Sequence, residues 1–431
     1  MTFYIMTFGC KVNYCESENI HASMQKNGFS PCENFENADV VIVNSCSVTA
    51  ESDRKIRQAI NKVKNTNPKA IIVLTGCMAQ AEPDSARKIE AVDIIVGNSD
   101  KYNITNIISD YFKNRGSNFE VKPIFEIKTF ENMPVNCVQH RSRAFLKIED
   151  GCNRFCSYCI IPYARGKVRS KPLENIAEDV SRLAKNGYKE IVLVGINLSS
   201  YGMDLGCDLA DAVHYVCAQD GIERVRLSSL EPDLMTDDII NKLAKEPKLC
   251  PQFHLALQSG SDKILKSMRR RYTVEEYLAV VDKLKSKFKN ATFTTDLMVG
   301  FPGETEQDFE ESLNMIEKVN LLKAHVFPYS IRPGTLAAKF DNQLTRSEKT
   351  KRAKKAIETS DENCEKILQN FLGETFDVLY ETCDDKGAYE GYTANYIHVK
   401  ARSDVDIRKK IVPTTLTKVQ KSDVWGIIKL G

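Results

Sequence analysis

Short runs of β-branched and other apolar residues recur along this chain, each followed by a turn and then a stretch that suits a helix. In the first part of the sequence the runs fall at residues 3–7, 40–43, 71–74 and 92–96. Each is short enough to be a strand buried on both faces. Strands alternating with helices imply a parallel sheet, because parallel neighbours need a crossover long enough to hold a helix. A second series occupies residues 144–148, 190–194, 224–227, 252–257, 292–298 and 325–328, with helix-like stretches such as 173–186 and 273–287 between them. Six such units predict a full or partial (β/α) barrel, although an open doubly wound sheet fits the same alternation. Residues 116–142, with Gly116, Ser117, Pro123 and Pro134, keep no period and read as a linker.

The remainder changes character. A charged helix is expected over 345–371, with Thr345 as its N-cap and Gly373 as its stop. Short strands at 376–380, 394–400 and 425–429 then predict a small β-barrel. The expected class is therefore α/β in three parts. These are an open parallel α/β sheet over 1–120, a central partial (β/α)6 barrel over 138–365, and a small C-terminal β-barrel over 368–431.

A net charge of +2 excludes a protein that coats nucleic acid by bulk charge but leaves room for local basic patches. No apolar run approaches the ~20 residues of a membrane span. The start, Met1-Thr2-Phe3-Tyr4-Ile5, lacks the pattern of a signal peptide. A cytoplasmic location with no membrane partner is expected. In that reducing compartment the fourteen cysteines point to metal or redox chemistry rather than to disulfides. Cys32, Cys207, Cys217, Cys250, Cys364 and Cys383 stand singly and are expected to be small buried hydrophobes.

Cys152, Cys156 and Cys159 fall within eight residues, directly after the first strand of the second series. Loops at the carboxyl ends of barrel strands are where active sites are built. Thiolates suit iron–sulfur clusters or zinc. Structural zinc is normally closed by four ligands, and here Cys137 is off the spacing and His140 is distant. A four-iron cluster held by three cysteines keeps one iron open for a cofactor. Other strand ends in this series carry polar groups on the same face: Asn197, Ser228 to Glu231, Gln258 to Ser261, and Asp296.

Cys10, Cys46 and Cys77 are far apart in sequence, yet each lies just beyond the end of a predicted parallel strand. Such ends line one edge of an open α/β sheet, so the three thiols are expected to converge, again leaving one open position. Gly9 and Gly76 would let the backbone approach a bulky group closely. Cys15, about one helical turn after Cys10, is expected to be a bystander.

Cys152-x-x-x-Cys156-x-x-Cys159, with Tyr158 before the last thiol, resembles the motif of the radical S-adenosylmethionine superfamily. The resemblance implies that these three cysteines hold a [4Fe-4S] cluster whose open iron binds S-adenosylmethionine and cleaves it to a 5′-deoxyadenosyl radical. It also implies that Tyr158, Asn197, Glu231, Gln258 and Asp296 contact that cofactor. Together with Cys10, Cys46 and Cys77, the pattern resembles the methylthiotransferases. In that family a second [4Fe-4S] cluster carries the sulfur that is inserted, and a TRAM domain forms the C-terminal barrel. The second triad would then be catalytic as well as metal-binding. Gly9-Cys10-Lys11-Val12-Asn13, Asn44 to Arg54, and Cys159 to Gly166 resemble the branch that acts on N6-threonylcarbamoyladenosine of tRNA. The branch acting on isopentenyladenosine usually has a Gly-Cys-Gln-Met-Asn stretch, and the ribosomal-protein branch a Gly-Cys-Pro-Lys-Asn stretch. Tyr14 and Cys15 depart from the usual glutamine and tyrosine.

The implied reaction converts N6-threonylcarbamoyladenosine at tRNA position 37 to its 2-methylthio derivative. It proceeds by radical C2–H activation, sulfur insertion and S-methylation from a second S-adenosylmethionine. The implied partners are the tRNA anticodon stem-loop, an electron donor of flavodoxin or ferredoxin type, and a sulfur donor; a monomer is expected. Candidate phosphate contacts are Arg165, Lys167, Arg169 and Lys171, the run Arg269 to Arg271, and the basic segment 400–431. The alternatives are methylthiolation of isopentenyladenosine tRNA or of a ribosomal protein, and a non-catalytic metal-bound RNA-binding protein.

Overall fold

The structure, a computed structural model, describes residues 1–114, 121–132 and 142–429. Gly116, Ser117, Pro134, Cys137 and His140 lie outside the described residues.

The N-terminal sheet is built from β1 (Thr2–Thr7), β2 (Ser30–Pro31), β3 (Val40–Ser45), β4 (Ile71–Gly76) and β5 (Ile94–Val96). Its helices are α1 (Lys11–Lys26), α2 (Ala50–Thr66), α3 (Cys77–Ala81), α4 (Pro83–Arg87) and α5 (Ile104–Asn114). The strands run parallel in the order β2-β1-β3-β4-β5. Every residue of β3 is buried, as its unbroken apolar run requires of a central strand. One face packs on Ile56, Ile60 and Val63 of α2, the other on Ile20 and Met24 of α1 and Ile104 and Ile108 of α5. The chain reverses its winding direction between β1 and β3. That reversal opens a crevice at the carboxyl ends of those strands.

The second series opens with β6 (Arg143–Lys147), β7 (Glu149–Asp150), α6 (Ile161–Arg165), β8 (Arg169–Ser170), α7 (Leu173–Lys185) and β9 (Glu190–Val194). It continues with α8 (Leu209–Cys217), β10 (Arg224–Leu227), β11 (Ser229–Leu230), α9 (Asp237–Leu243) and β12 (Gln252–Leu255). It ends with α10 (Asp262–Ser267), α11 (Val274–Lys287), β13 (Thr292–Val299), α12 (Glu306–Val319) and β14 (Leu321–Pro328). Two parallel sheets, β10-β9-β6 and β11-β12-β13-β14, meet where Val225 bridges to Leu249. Six βα units thus curve into a partial barrel. The strand expected at 325–328 starts four residues earlier, at Leu321, because Leu321, Leu322 and Ala324 are buried against β13 and the last helix.

That last helix, α13 (Arg346–Gln369), begins where expected: Thr345 caps it, with Glu348 completing a capping box. After it, β15 (Thr375–Cys383), β16 (Ala388–Thr393), β17 (His398–Arg402), β18 (Ile411–Gln420) and β19 (Asp423–Ile428) close into a barrel in the order β15-β16-β17-β19-β18. The strand expected at 394–400 is corrected: residues 394–397 are a turn, with Tyr396 at φ +70°, and the strand begins at His398. Thr393 drives this turn by accepting a hydrogen bond from the Ile397 backbone N–H at 2.9 Å. Among the described residues no helix is long and apolar enough to cross a membrane.

Candidate active site

The sheet delivers the first thiol triad. Cys10 caps α1, just after β1. Cys46 directly follows β3, and Cys77 opens α3 directly after β4. These are neighbouring strands in matched register, Thr7 opposite Asn44 and Ser45 opposite Gly76. The three thiols therefore gather at the winding reversal, close enough to act on one another electrostatically. Burial pushes the Cys46 thiol up to about 12, and the adjacent Cys77 and Cys10 add to it. Burial also raises Cys10, against the opposing pull of Arg165. Space beside the triad is tight. A Cβ on Gly9 would stand 2.9 Å from Cys46 Cβ and 3.2 Å from its Sγ, and one on Gly76 only 2.3 Å from the Ser45 carbonyl oxygen. Asn13 ties the loops together: its Nδ2 donates to Phe8 O at 2.8 Å and Ser45 O at 2.9 Å. Cys15 is buried, packed with Val12 against Val192 and Val194 of β9.

The second triad lies on the loop after β7. Backbone bonds fix it: the Cys152 N–H donates to Gly166 O and the Ser157 N–H to Met268 O, both at 3.0 Å. Burial raises Cys152 to about 11. The triad opens on a cavity of about 390 Å³ whose wall also contains Tyr158, Asn197, Glu231, Gln258 and Asp296, and Cys10 from the other triad. Every sequence-predicted cofactor contact thus faces one space. Cys10 is solvent-accessible on the cavity side, whereas Cys46 and Cys77 are buried behind it. Among the described residues no three His, Cys, Asp or Glu side chains are gathered closely enough to hold a single metal ion.

Sequence reasoning placed neither of two further residues here: Arg270, in the wall itself, and Glu149, which supports it from outside the cavity. Arg270 Nη1 lies 3.4 Å from Cys156 Sγ, and its Nη2 donates to Glu231 Oε2 at 2.5 Å. Glu149 sits beneath the loop, accepting from the Asn197 N–H at 2.8 Å, and burial pushes its carboxyl up to about 8. Asn197 Oδ1 is buried with no hydrogen-bond partner, so one polar position in the wall is unfilled.

The basic cluster after the loop is corrected. Arg165, Arg169 and Lys171 are buried. Arg165 pairs with Glu16 of α1 and with Asp150 at 3.3 Å, and donates to Asn13 Oδ1 at 2.6 Å. Lys147 bridges Glu16 at 2.8 Å and Asp150 at 2.6 Å; Lys101 also pairs with Glu16. Lys171 pairs with Asp179. The pairs from Arg165 and Lys147 to Glu16 lock the N-terminal sheet to the barrel, and those to Asp150 and Asp179 are made within the barrel, so these charges do not meet phosphate. Arg270 likewise points inward, whereas Arg269, Arg271 and Lys167 remain exposed. On the outer side of the cluster loop Phe125, Phe155 and Tyr163 form an exposed ring cluster, with centroids 5.8–6.4 Å apart. Of the single cysteines, Cys217, Cys250 and Cys364 are buried as expected; Cys32 and Cys207 are half-buried and Cys383 is exposed.

Residues 146–316 match the family described as the Radical SAM superfamily. Residues 2–97 match Uncharacterized protein family UPF0004. The chain is 39% identical to the tRNA-2-methylthio-N(6)-dimethylallyladenosine synthase of Clostridium botulinum (strain Loch Maree), over 98% of this chain and 96% of the relative. It is 36% identical to the threonylcarbamoyladenosine tRNA methylthiotransferase MtaB of Bacillus subtilis (strain 168), over 96% of this chain and 93% of the relative. Among solved structures, the radical S-adenosylmethionine methyltransferase TsrM of Kitasatospora setae, with cobalamin and a [4Fe-4S] cluster bound, is similar with a TM-score of 0.58. That match covers 78% of this chain and 76% of that one at 13% identity, a likeness of fold.

Proposed function

Because this chain belongs to the radical S-adenosylmethionine methylthiotransferase family, we propose that its two thiol triads each hold a [4Fe-4S] cluster and that its substrate is N6-threonylcarbamoyladenosine at position 37 of tRNA. The product is the 2-methylthio derivative. The observation that carries this reading is the meeting of Cys10 with Cys152, Cys156 and Cys159 around one cavity. A sulfur-bearing group and a radical source must both reach one carbon, so they need a shared space.

The residues present fit these groups. Each triad offers soft donors, and the thiolates of a cluster bind different irons, so they need not converge on one point. Gly9 keeps a side chain from crowding Cys46, and Gly76 lets the end of β4 lie close against the Ser45 backbone just before Cys46. Asn197, with its unpaired Oδ1, is suited to a polar cofactor atom. Bound there, the central cluster with S-adenosylmethionine supplies hydrogen-atom abstraction and methyl transfer, and the N-terminal cluster supplies sulfur.

The chain's own residues orient and enclose. Glu231 is pre-positioned by Arg270, and Tyr158 packs edge-on against Phe301, which fixes its ring at the wall. Asp296 is held below the ordinary carboxylate range despite its burial, chiefly by a hydrogen bond from His254, so it remains an anionic acceptor. Outside the mouth, Phe125, Phe155 and Tyr163 offer faces on which unstacked loop bases can lie. Exposed Arg402, Lys410, Lys418 and Lys421 on the C-terminal barrel supply positive charge for phosphate.

The substrate assignment rests on the Gly9-Cys10-Lys11-Val12-Asn13 stretch. The 39% identity to a dimethylallyladenosine enzyme favours a second reading, in which the N6 substituent is dimethylallyl. The test is anaerobic, reconstituted enzyme with reductant, S-adenosylmethionine and tRNA bearing either nucleoside, followed by mass spectrometry of the digest. A methylthio adduct on threonylcarbamoyladenosine is expected. An adduct on dimethylallyladenosine alone would transfer the assignment to the second reading, and 5′-deoxyadenosine without any adduct would refute both.

A further inference from the structure

A second cavity of about 380 Å³ lies behind the first, between the start of α1, the inner faces of β12 to β14 and the C-terminal barrel. Lys11, Arg226, His254, His325, Tyr392 and Tyr396 are in its wall. The two cavities approach each other at Asp296, which lines the first and whose Oδ2 stands 3.5 Å from Nε2 of His254, in the wall of the second. Lys11 immediately follows Cys10, so the residue that opens on the first cavity is covalently next to one that opens on the second.

Most charges in this wall are already matched. Arg226 donates to Glu190 at 2.8 Å, Lys323 pairs with Asp361 at 2.6 Å, and His398 with Asp423 at 2.8 Å. Lys11 forms no ion pair or hydrogen bond among the described residues. His254 is already engaged, facing Asp296 through Nε2 and Thr294 Oγ1 through Nδ1 at 3.0 Å. Among the described residues the wall therefore presents Lys11 to the cavity as a cation without a protein partner. An apolar occupant would desolvate that cation without pairing it, whereas a carboxylate would pair with it.

We propose that the second cavity receives the N6 substituent of the target adenine and that Lys11 selects substituents ending in a carboxylate. The inference rests on the reading that the base to be modified enters the first cavity. A substituent directed past Asp296 then lies within reach of Lys11, and 380 Å³ holds a group of amino-acid size. Lys11 acts here as a specificity-determining residue.

The test measures binding of reconstituted wild type, Lys11→Gln and Lys11→Arg to three anticodon stem-loops. These carry threonylcarbamoyladenosine, its methyl ester, or plain adenosine, and are read by fluorescence anisotropy. Wild type should prefer the free acid over the ester by roughly 10- to 100-fold, the scale expected for loss of one hydrogen bond to a charged group. Lys11→Gln should abolish that preference, and Lys11→Arg should retain much of it. A Lys11→Gln enzyme that keeps the preference, or that weakens on all three stem-loops equally, overturns the inference. The failures are separable. Product formation with an unaltered Lys11→Gln preference sinks this inference alone. An acid preference in wild type without methylthio product sinks the proposed function and leaves the carboxylate site standing.

Discussion

Cys152, Cys156 and Cys159 sit on one short loop, whereas Cys10, Cys46 and Cys77 come from three strand ends spread over nearly seventy residues. The loop triad is held by local backbone bonds, such as Cys152 N–H to Gly166 O, and by the barrel beneath it. The dispersed triad depends on the register of β1, β3 and β4, and on the ion network that presses this sheet against the barrel. A site drawn from distant segments inherits the stability of everything that aligns them. A site on one loop inherits mainly its own.

The largest contrast should come from deleting the thiols. Replacing Cys10, Cys46 and Cys77 together by Ala should remove about half of the bound iron and abolish methylthio product while leaving 5′-deoxyadenosine formation. The same change at Cys152, Cys156 and Cys159 should abolish both products. Iron analysis with chromatography of nucleosides reads this directly, and loss of 5′-deoxyadenosine from the first variant would break the comparison.

Arg165→Ala should discriminate next. It removes a fully buried cation from Glu16, Asp150 and Asn13. Breaking a buried pair costs about 3–5 kcal/mol. Thermal or urea unfolding should show that loss, and iron should be lost preferentially from the dispersed triad, because Arg165 joins the two bodies beside it. Equal loss from both triads would mean that the network supports them alike.

The smallest effect is acid sensitivity. Burial alone would raise the Asp150 carboxyl, but Lys147, Arg165 and Arg169 overcome it and hold it down to about 2 from an ordinary 3.8. A lowered carboxyl contributes stability that is present above the ordinary value and is lost as pH falls through the folded one. Here the contribution is about 2 kcal/mol. Urea midpoints followed from mildly acidic pH down to about 2 should fall more steeply for wild type than for Asp150→Asn. Parallel curves would show that Asp150 titrates alike in both states.

How much of this was legible in the sequence varied by region. The α/β alternation fixed where strand ends lie, and that sufficed to bring Cys10, Cys46 and Cys77 together on paper. In the C-terminal barrel the reading lost β16 and β18. Ala388–Thr393 carries few apolar residues, and Ile411–Gln420 contains Pro413, which argues against a strand. There Pro413 sits opposite Asp377, at a position where β15 tolerates it. Arg165, Arg169, Lys171 and Arg270 each stand in a basic run, which by itself points to phosphate. Their partners Glu16, Asp150, Asp179 and Glu231 carry no mark in the sequence that pairs them.

What the sequence determined by itself, then, was periodicity and thiol spacing. Strand and helix periods are local properties, and parallel connections force strand ends to one edge, so the class of fold and the two thiol triads follow from order along the chain. What only the tertiary structure decided was the fate of charge. Desolvation and Coulomb attraction depend on distances between residues far apart in sequence. Folding therefore consumed Arg165 in a lock between two bodies and set Arg270 against Cys156. It also placed Lys11, an ordinary lysine in the sequence, in the wall of the second cavity.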